Sequence, residues 1–119
     1  MIIDDDHNVI REIKDFLEIE QTGYRVISAY DGETGLNCVR ENKPDLILLD
    51  LVLPGQSGFK IAQEIKALPQ CAAIPIIAIS LKKEDIDKHV ALKSGATEYL
   101  EKPVELDKLL YHLKDILGV

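Results

Sequence analysis

The sequence predicts an α/β fold, a doubly wound five-stranded parallel sheet with five helices on its two faces. Three observations predict it. Short apolar runs alternate five times with segments whose apolar residues recur at helical spacing. Two of the runs, residues 46–49 (LILL) and 75–80 (PIIAIS), lack the polar alternation of a half-exposed strand, so they suit strands covered on both faces. The 119 residues, 46% apolar, suit one compact domain spanning 1–119, with a real core and no room for a second domain.

The elements follow in order. Residues 1–3 form a very short first strand ended by Asp4, Asp5 and Asp6, and Val9, Ile10, Ile13, Phe16 and Leu17 mark the first helix. Asp6 suits the start of that helix through its dipole. After Gly23, residues 24–30 are rich in β-formers around Val26 and Ile27 and predict the second strand. Asp31 reads as a helix N-cap with Thr34 at the third helical position; Leu36 and Val39 supply a modest stripe before Lys43-Pro44. The third strand opens the stretch DLILLDLVLPGQSG and stops at Asp50, ahead of the breakers Pro54, Gly55 and Gly58. A helix from about Gly58 carries Phe59, Ala62, Ile65 and Leu68 on one face and stops at Pro69. Residues 75–80 form the fourth strand. Residues 82–94 form the least apolar helix, with Ile86, Val90 and Leu92, closed by Gly95 as C-cap. Residues 96–101 form the fifth strand, and Leu106, Leu109, Leu110, Leu113, Ile116 and Leu117 mark the clearest amphipathic helix.

Charge and cysteine usage exclude several function classes. Fourteen basic and twenty-one acidic residues leave a net charge of -7, which repels nucleic acid phosphates and anionic membranes and favours cations or basic partners. Direct nucleic acid binding is therefore not expected. Cys38 and Cys71 have no metal or disulfide spacing, which suits a reduced compartment. With no cationic leader and no apolar run near the length of a membrane span, a cytoplasmic chain is expected. His7, His89 and His112 also lack metal-ligand spacing.

In a parallel sheet all strand ends share one edge, where open α/β folds bind ligands. Four of the predicted ends carry polar groups: Asp4 and Asp5, Asp50, Ser80, and Lys102. Their convergence marks the candidate site.

Through IIDDDH, DLILLDLVLPGQSG, PIIAIS and GATEYLEKP, in this order and on these strand ends, the chain resembles the receiver domain of two-component response regulators over essentially its whole length. The resemblance implies the flavodoxin-like strand order 2-1-3-4-5. It implies that Asp50 is the phosphoryl acceptor, with Lys102 and Ser80 holding the phosphoryl group from the other side. Asp5 and Asp50 would ligate a divalent cation directly, Asp4 through water, and Val52 through its backbone carbonyl. Mg2+ suits such an all-oxygen site, and Mn2+ should substitute. Ser80 and Tyr99 match the two switch positions that couple phosphorylation to the face of the fourth helix, fifth strand and fifth helix. Lys102-Pro103 matches a cis peptide. The implied partners are a histidine kinase or phosphotransfer protein and a downstream output domain or protein, with room for a phosphorylation-dependent dimer. The implied activity is that of a switch that catalyses its own phosphorylation and dephosphorylation, not of an enzyme with a separate substrate.

Two details depart from the pattern: strand one is short before its acids, and Leu81 is bulky where the family mostly has a small residue, which predicts narrower access to the site. A haloacid-dehalogenase-like phosphatase would need a second Asp two residues after the nucleophile, where Val52 stands. A flavodoxin-like cofactor binder would need a phosphate loop where three aspartates stand. The remaining rival is a degenerate receiver acting as a docking module, although all five site positions are filled.

Overall fold

The structure, a computed structural model, describes the backbone of residues 1–81 and 85–118 and the side chains of residues 1–81 and 89–118. Its elements are β1 (Ile2–Ile3), α1 (His7–Ile19), β2 (Ser28–Ala29), α2 (Gly32–Asn42), β3 (Ile47–Asp50), α3 (Gly58–Ala67), β4 (Ile76–Ser80), α4 (Asp85–Lys93), β5 (Glu98–Glu101) and α5 (Leu106–Leu117). Between β3 and α3 lies a small antiparallel hairpin pairing Val52–Leu53 with Gln56–Ser57. The five main strands are parallel in the order β2-β1-β3-β4-β5, as the resemblance implies.

Strand alternation divides the core into two layers. Ile3, Ile47, Leu49, Ile76 and Ala78 face Val39 of α2 and Ile61, Ala62 and Ile65 of α3, while Ile2, Leu48, Ile77 and Ile79 face Ile10, Ile13 and Leu17 of α1 and Leu109 and Leu113 of α5. Burying each large aliphatic side chain contributes about 1.5–3 kcal/mol, so both faces must be covered for the sheet to persist. All nine residues of β3 and β4 are buried, which is why their sequences lack polar alternation.

The helix ends follow the expected chemistry. Asp6 is the N-cap of α1, its carboxylate accepting from the amides of Asn8 and Val9, and Asp31 caps α2 by accepting from Thr34. Lys43 ends α2 in the left-handed region at φ 45°. The Lys102-Pro103 bond is cis, as expected.

Two expectations need correction, and two details add to the rest. The second strand is not residues 24–30 but Ser28–Ala29, because β1 offers only two residues to pair with it; Tyr24 and Val26 instead lie half-buried against the α1/α5 layer. The fifth strand begins at Glu98, not at Ala96, since Thr97 donates its amide to Ile76 before regular pairing starts. The loop after Asp50 folds back as the hairpin. In α4, Val90 and Leu92 are 39% and 42% exposed, and the small Ala91 turns inward. The start of the expected fourth helix at Lys82, and the side chain of Ile86, lie outside the described residues.

Candidate functional site

The carboxyl edge of the sheet gathers the predicted residues. Asp4 follows β1 and is anchored by its amide to Ala29 at 3.1 Å. Asp50 ends β3. Ile79 is its register partner in β4, and Ser80 comes next. The Ser80 carbonyl in turn accepts the Lys102 amide at 2.8 Å. Residues 46 and 52 positions apart along the chain thus meet because strand register brings them there.

The ammonium of Lys102 stands 3.0 Å from Asp4 Oδ2 and 3.0 Å from Asp50 Oδ2. It donates a hydrogen bond to the latter. The other oxygens are held by backbone amides: Asp4 Oδ1 accepts from Asp6 at 2.8 Å and Asp50 Oδ1 from Val52 at 2.9 Å. Asp4, Asp50 and Ser80 are buried, whereas Asp5 is exposed. Asp4 Oδ2 is buried with only the ionic contact to Lys102 and no hydrogen bond of sound geometry.

Electrostatics follow from this arrangement. Burial pushes the Asp4 carboxyl up from the ordinary range; its bond from Asp6 and its pairing with Lys102 oppose the rise, and the charge of Asp50 adds to it. Burial lowers the Lys102 ammonium, but hydrogen bonds and charges from both carboxylates outweigh that and hold it above the usual lysine range.

One carboxylate oxygen from each of Asp4, Asp5 and Asp50 lies within 4.8 Å of the other two. Among the described residues, one ammonium faces three carboxylates, and Asp4 Oδ2 has no hydrogen bond. Like charges near 4 Å cost about 4 kcal/mol at an effective dielectric of about 20. This donor set, all hard oxygen and short of positive charge, fits a divalent cation of the Mg2+ kind.

Tyr99 is half-buried in β5, opposite Ala78, and packs against the α2/α3 layer. Val52 is exposed, and its amide donates to Asp50 Oδ1. Leu81 is 70% exposed. Sequence reasoning missed the Asp6 amide as a ligand of Asp4 and the ring of His7 stacked on Tyr30 at 3.7 Å. The three successive acids signalled a turn there; nothing signalled the stack. Glu84, Asp85, Asp87 and Lys88, whose sequence suits either a solvated face or a partner surface of the fourth helix, lie outside the described side chains, and His89 is exposed.

A flavodoxin-like sheet with an acidic, lysine-bridged cluster at its carboxyl edge defines a class of α/β proteins whose ligand site lies outside the carboxyl ends of the strands. The chain belongs to the response regulator receiver domain family, whose profile matches residues 1–114. It is 40% identical over 105 residues to the transcriptional regulatory protein AfsQ1 of Streptomyces coelicolor, an overlap that covers 88% of this chain and 44% of that protein. The chain thus spans less than half the length of that curated relative. A two-component response regulator from Clostridium difficile superposes with TM-score 0.89 at 33% identity, covering 98% of this chain and 93% of that one. The signal receiver domain of a DNA binding response regulator from Colwellia psychrerythraea superposes with TM-score 0.91 at 28% identity, covering 99% and 96%. The protein is a receiver domain of two-component systems, a family that typically binds Mg2+ and partners with histidine kinases and output domains. Among the described residues no helix is long and apolar enough to cross a membrane.

Proposed function

We propose that this domain, residues 1–119, is a phosphorylation-activated switch of the cytoplasm whose acceptor is Asp50. A histidine kinase or phosphotransfer protein supplies the phosphoryl group. A carboxylate oxygen of Asp50 attacks the phosphorus, the bond from phosphorus to the donor nitrogen breaks, and the electron pair leaves with the donor imidazole, giving an acyl phosphate that water later hydrolyses. The observation that carries this reading is the Lys102 ammonium, 3.0 Å from Asp4 and from Asp50. It occupies the seat of positive charge between the carboxylates and is long enough to turn toward phosphoryl oxygens instead.

Asp5 and Asp50 would hold Mg2+ directly, with Asp4 through water and the Val52 carbonyl completing the set; Mn2+ would substitute. Mg2+ supplies compensation for the charge gathered in the transition state. Ser80 donates its hydroxyl to a phosphoryl oxygen, and Tyr99 follows by turning into the space vacated. The responding face, α4, β5 and α5, would engage an output partner or a second phosphorylated copy; its helices carry the exposed apolar residues Val90, Leu92 and Tyr111.

Beryllofluoride with Mg2+, which mimics the bound phosphoryl group, tests this reading. Amide resonances around Ser80 and Tyr99 are expected to shift in the wild type and to stay fixed in Asp50→Asn. Unchanged resonances in both would refute it.

A further inference from the structure

We infer that Gly58 is a positioning residue for phosphoryl transfer. Its missing side chain lets the start of α3 rest on the Asp50–Leu51 backbone and so fixes the turn that aims the Asp50 carboxylate. This rests on the reading of Asp50 as acceptor.

A Cβ at position 58 would stand 2.4 Å from the Asp50 carbonyl oxygen and 2.5 Å from Leu51 Cα, where ordinary contact begins at 3.4 Å. Both neighbours are backbone and cannot swing aside. Gly32, Gly35 and Gly95 are also crowded, but by the side chains of Gln56, Ile61, Ile3 and Lys66, which have rotatable bonds to yield. Among the described residues, Gly58 is the one glycine for which the atoms nearest an added Cβ are main chain.

The backbone it touches is the segment that orients the nucleophile. Leu51 is held on both sides, its amide donating to Ile79 of β4 at 2.9 Å and its carbonyl accepting from the Gly58 amide at 3.0 Å. The next amide, that of Val52, grips Asp50 Oδ1 at 2.9 Å. Val52 then pairs with Ser57 across the hairpin, and Ser57 caps α3 by accepting from Phe59. The chain therefore leaves Asp50, turns at Gly55 and returns to clamp its own departure point at Gly58. Restoring ordinary contact to a methyl there needs a backbone shift of about 1 Å, a misplacement that can cost about 100-fold in rate.

The test compares Gly58→Ala with Gly95→Ala, a crowded glycine at the turn between α4 and β5. Four quantities are read on folded protein: labelling of Asp50 by acetyl phosphate with Mg2+, Mg2+ affinity without phosphodonor, the Val52 amide resonance without metal, and the urea midpoint. Gly58→Ala is expected to slow labelling by about 10- to 100-fold, weaken Mg2+ binding and move the Val52 resonance. Gly95→Ala is expected to lower the urea midpoint and leave the other three in place. Should Gly58→Ala not fold, Gly55→Ala and Gly23→Ala decide. Both sit at nearly the same left-handed φ, 72° and 75°, with nothing within 4 Å of an added Cβ, and only the former strains the hairpin. Gly55→Ala should then slow labelling and Gly23→Ala should not. Labelling and Val52 resonance unchanged in Gly58→Ala, or equal effects in the matched pair, overturn the inference. If the wild type takes no label at all, the acceptor reading fails instead, while the Val52 resonance and Mg2+ affinity still judge the clamp.

Discussion

Asp4 bears the cost of assembling the site. Its carboxylate is buried beside that of Asp50, one oxygen lacks a hydrogen bond, and burial raises its pKa against the pull of Lys102. A carboxyl whose folded pKa is raised stabilises the fold below its unfolded pKa and loses that contribution as pH climbs through the folded value. At neutral pH without divalent cation, the ionised Asp4 is thus a net burden. Asp4→Asn is expected to raise the melting midpoint at pH 7 in chelator by about 3–6 °C, the shift that roughly 1 kcal/mol makes in a domain of this size. The gain should shrink as pH falls into the carboxylate range, where wild-type Asp4 is protonated too; thermal melts at several pH values check the sign. Lys102, held above the usual lysine range by both carboxylates, stabilises the fold at neutral pH and loses that contribution only as pH rises through its raised pKa in the alkaline range. Asp4 and Asp50 were legible in the sequence, because each is a polar group directly after an apolar run; Lys102 follows Glu101, and the resemblance singled it out. What was not legible is which oxygen meets which donor: Lys102 and Asp50 are 52 positions apart, and only the folded register joins them.

Among the elements, legibility tracked how far local sequence determines burial. β3 and β4 read correctly because they are covered on both faces, so their composition alone carries the signal. The second strand was read too long because a strand's extent is set by its partner, and β1 pairs over two residues. In α4 the small Ala91 is buried while Val90 and Leu92 beside it are exposed, so apolar content alone did not tell which residue seats the helix. The starts of α1, α2 and α3 were read well, since capping is local. Asp6→Ala is expected to cost about 1 kcal/mol of unfolding free energy by removing the acceptor of the Asn8 and Val9 amides. Urea denaturation should show the loss as a lower midpoint with unchanged slope. The same variant should label normally, because Asp4 is gripped by the Asp6 amide and not by its side chain.

Over the whole molecule, the order β2-β1-β3-β4-β5 converts scattered strand ends into one pocket. The helices of each face supply the core, so the carboxyl edge is free to hold groups that cost stability. A net charge of -7 attracts cations and repels free anions over the whole surface. This division of labour, core for stability and edge for chemistry, is what makes Asp50 the acceptor in our account. The most direct test is intact-mass measurement after incubation with acetyl phosphate and Mg2+, run in parallel on wild type, Asp6→Asn and Asp50→Asn. We predict one added phosphoryl group on wild type and on Asp6→Asn, none on Asp50→Asn, and none on any of them in chelator. Equal labelling of Asp50→Asn and wild type, or no labelling of the wild type with Mg2+ present, would contradict it.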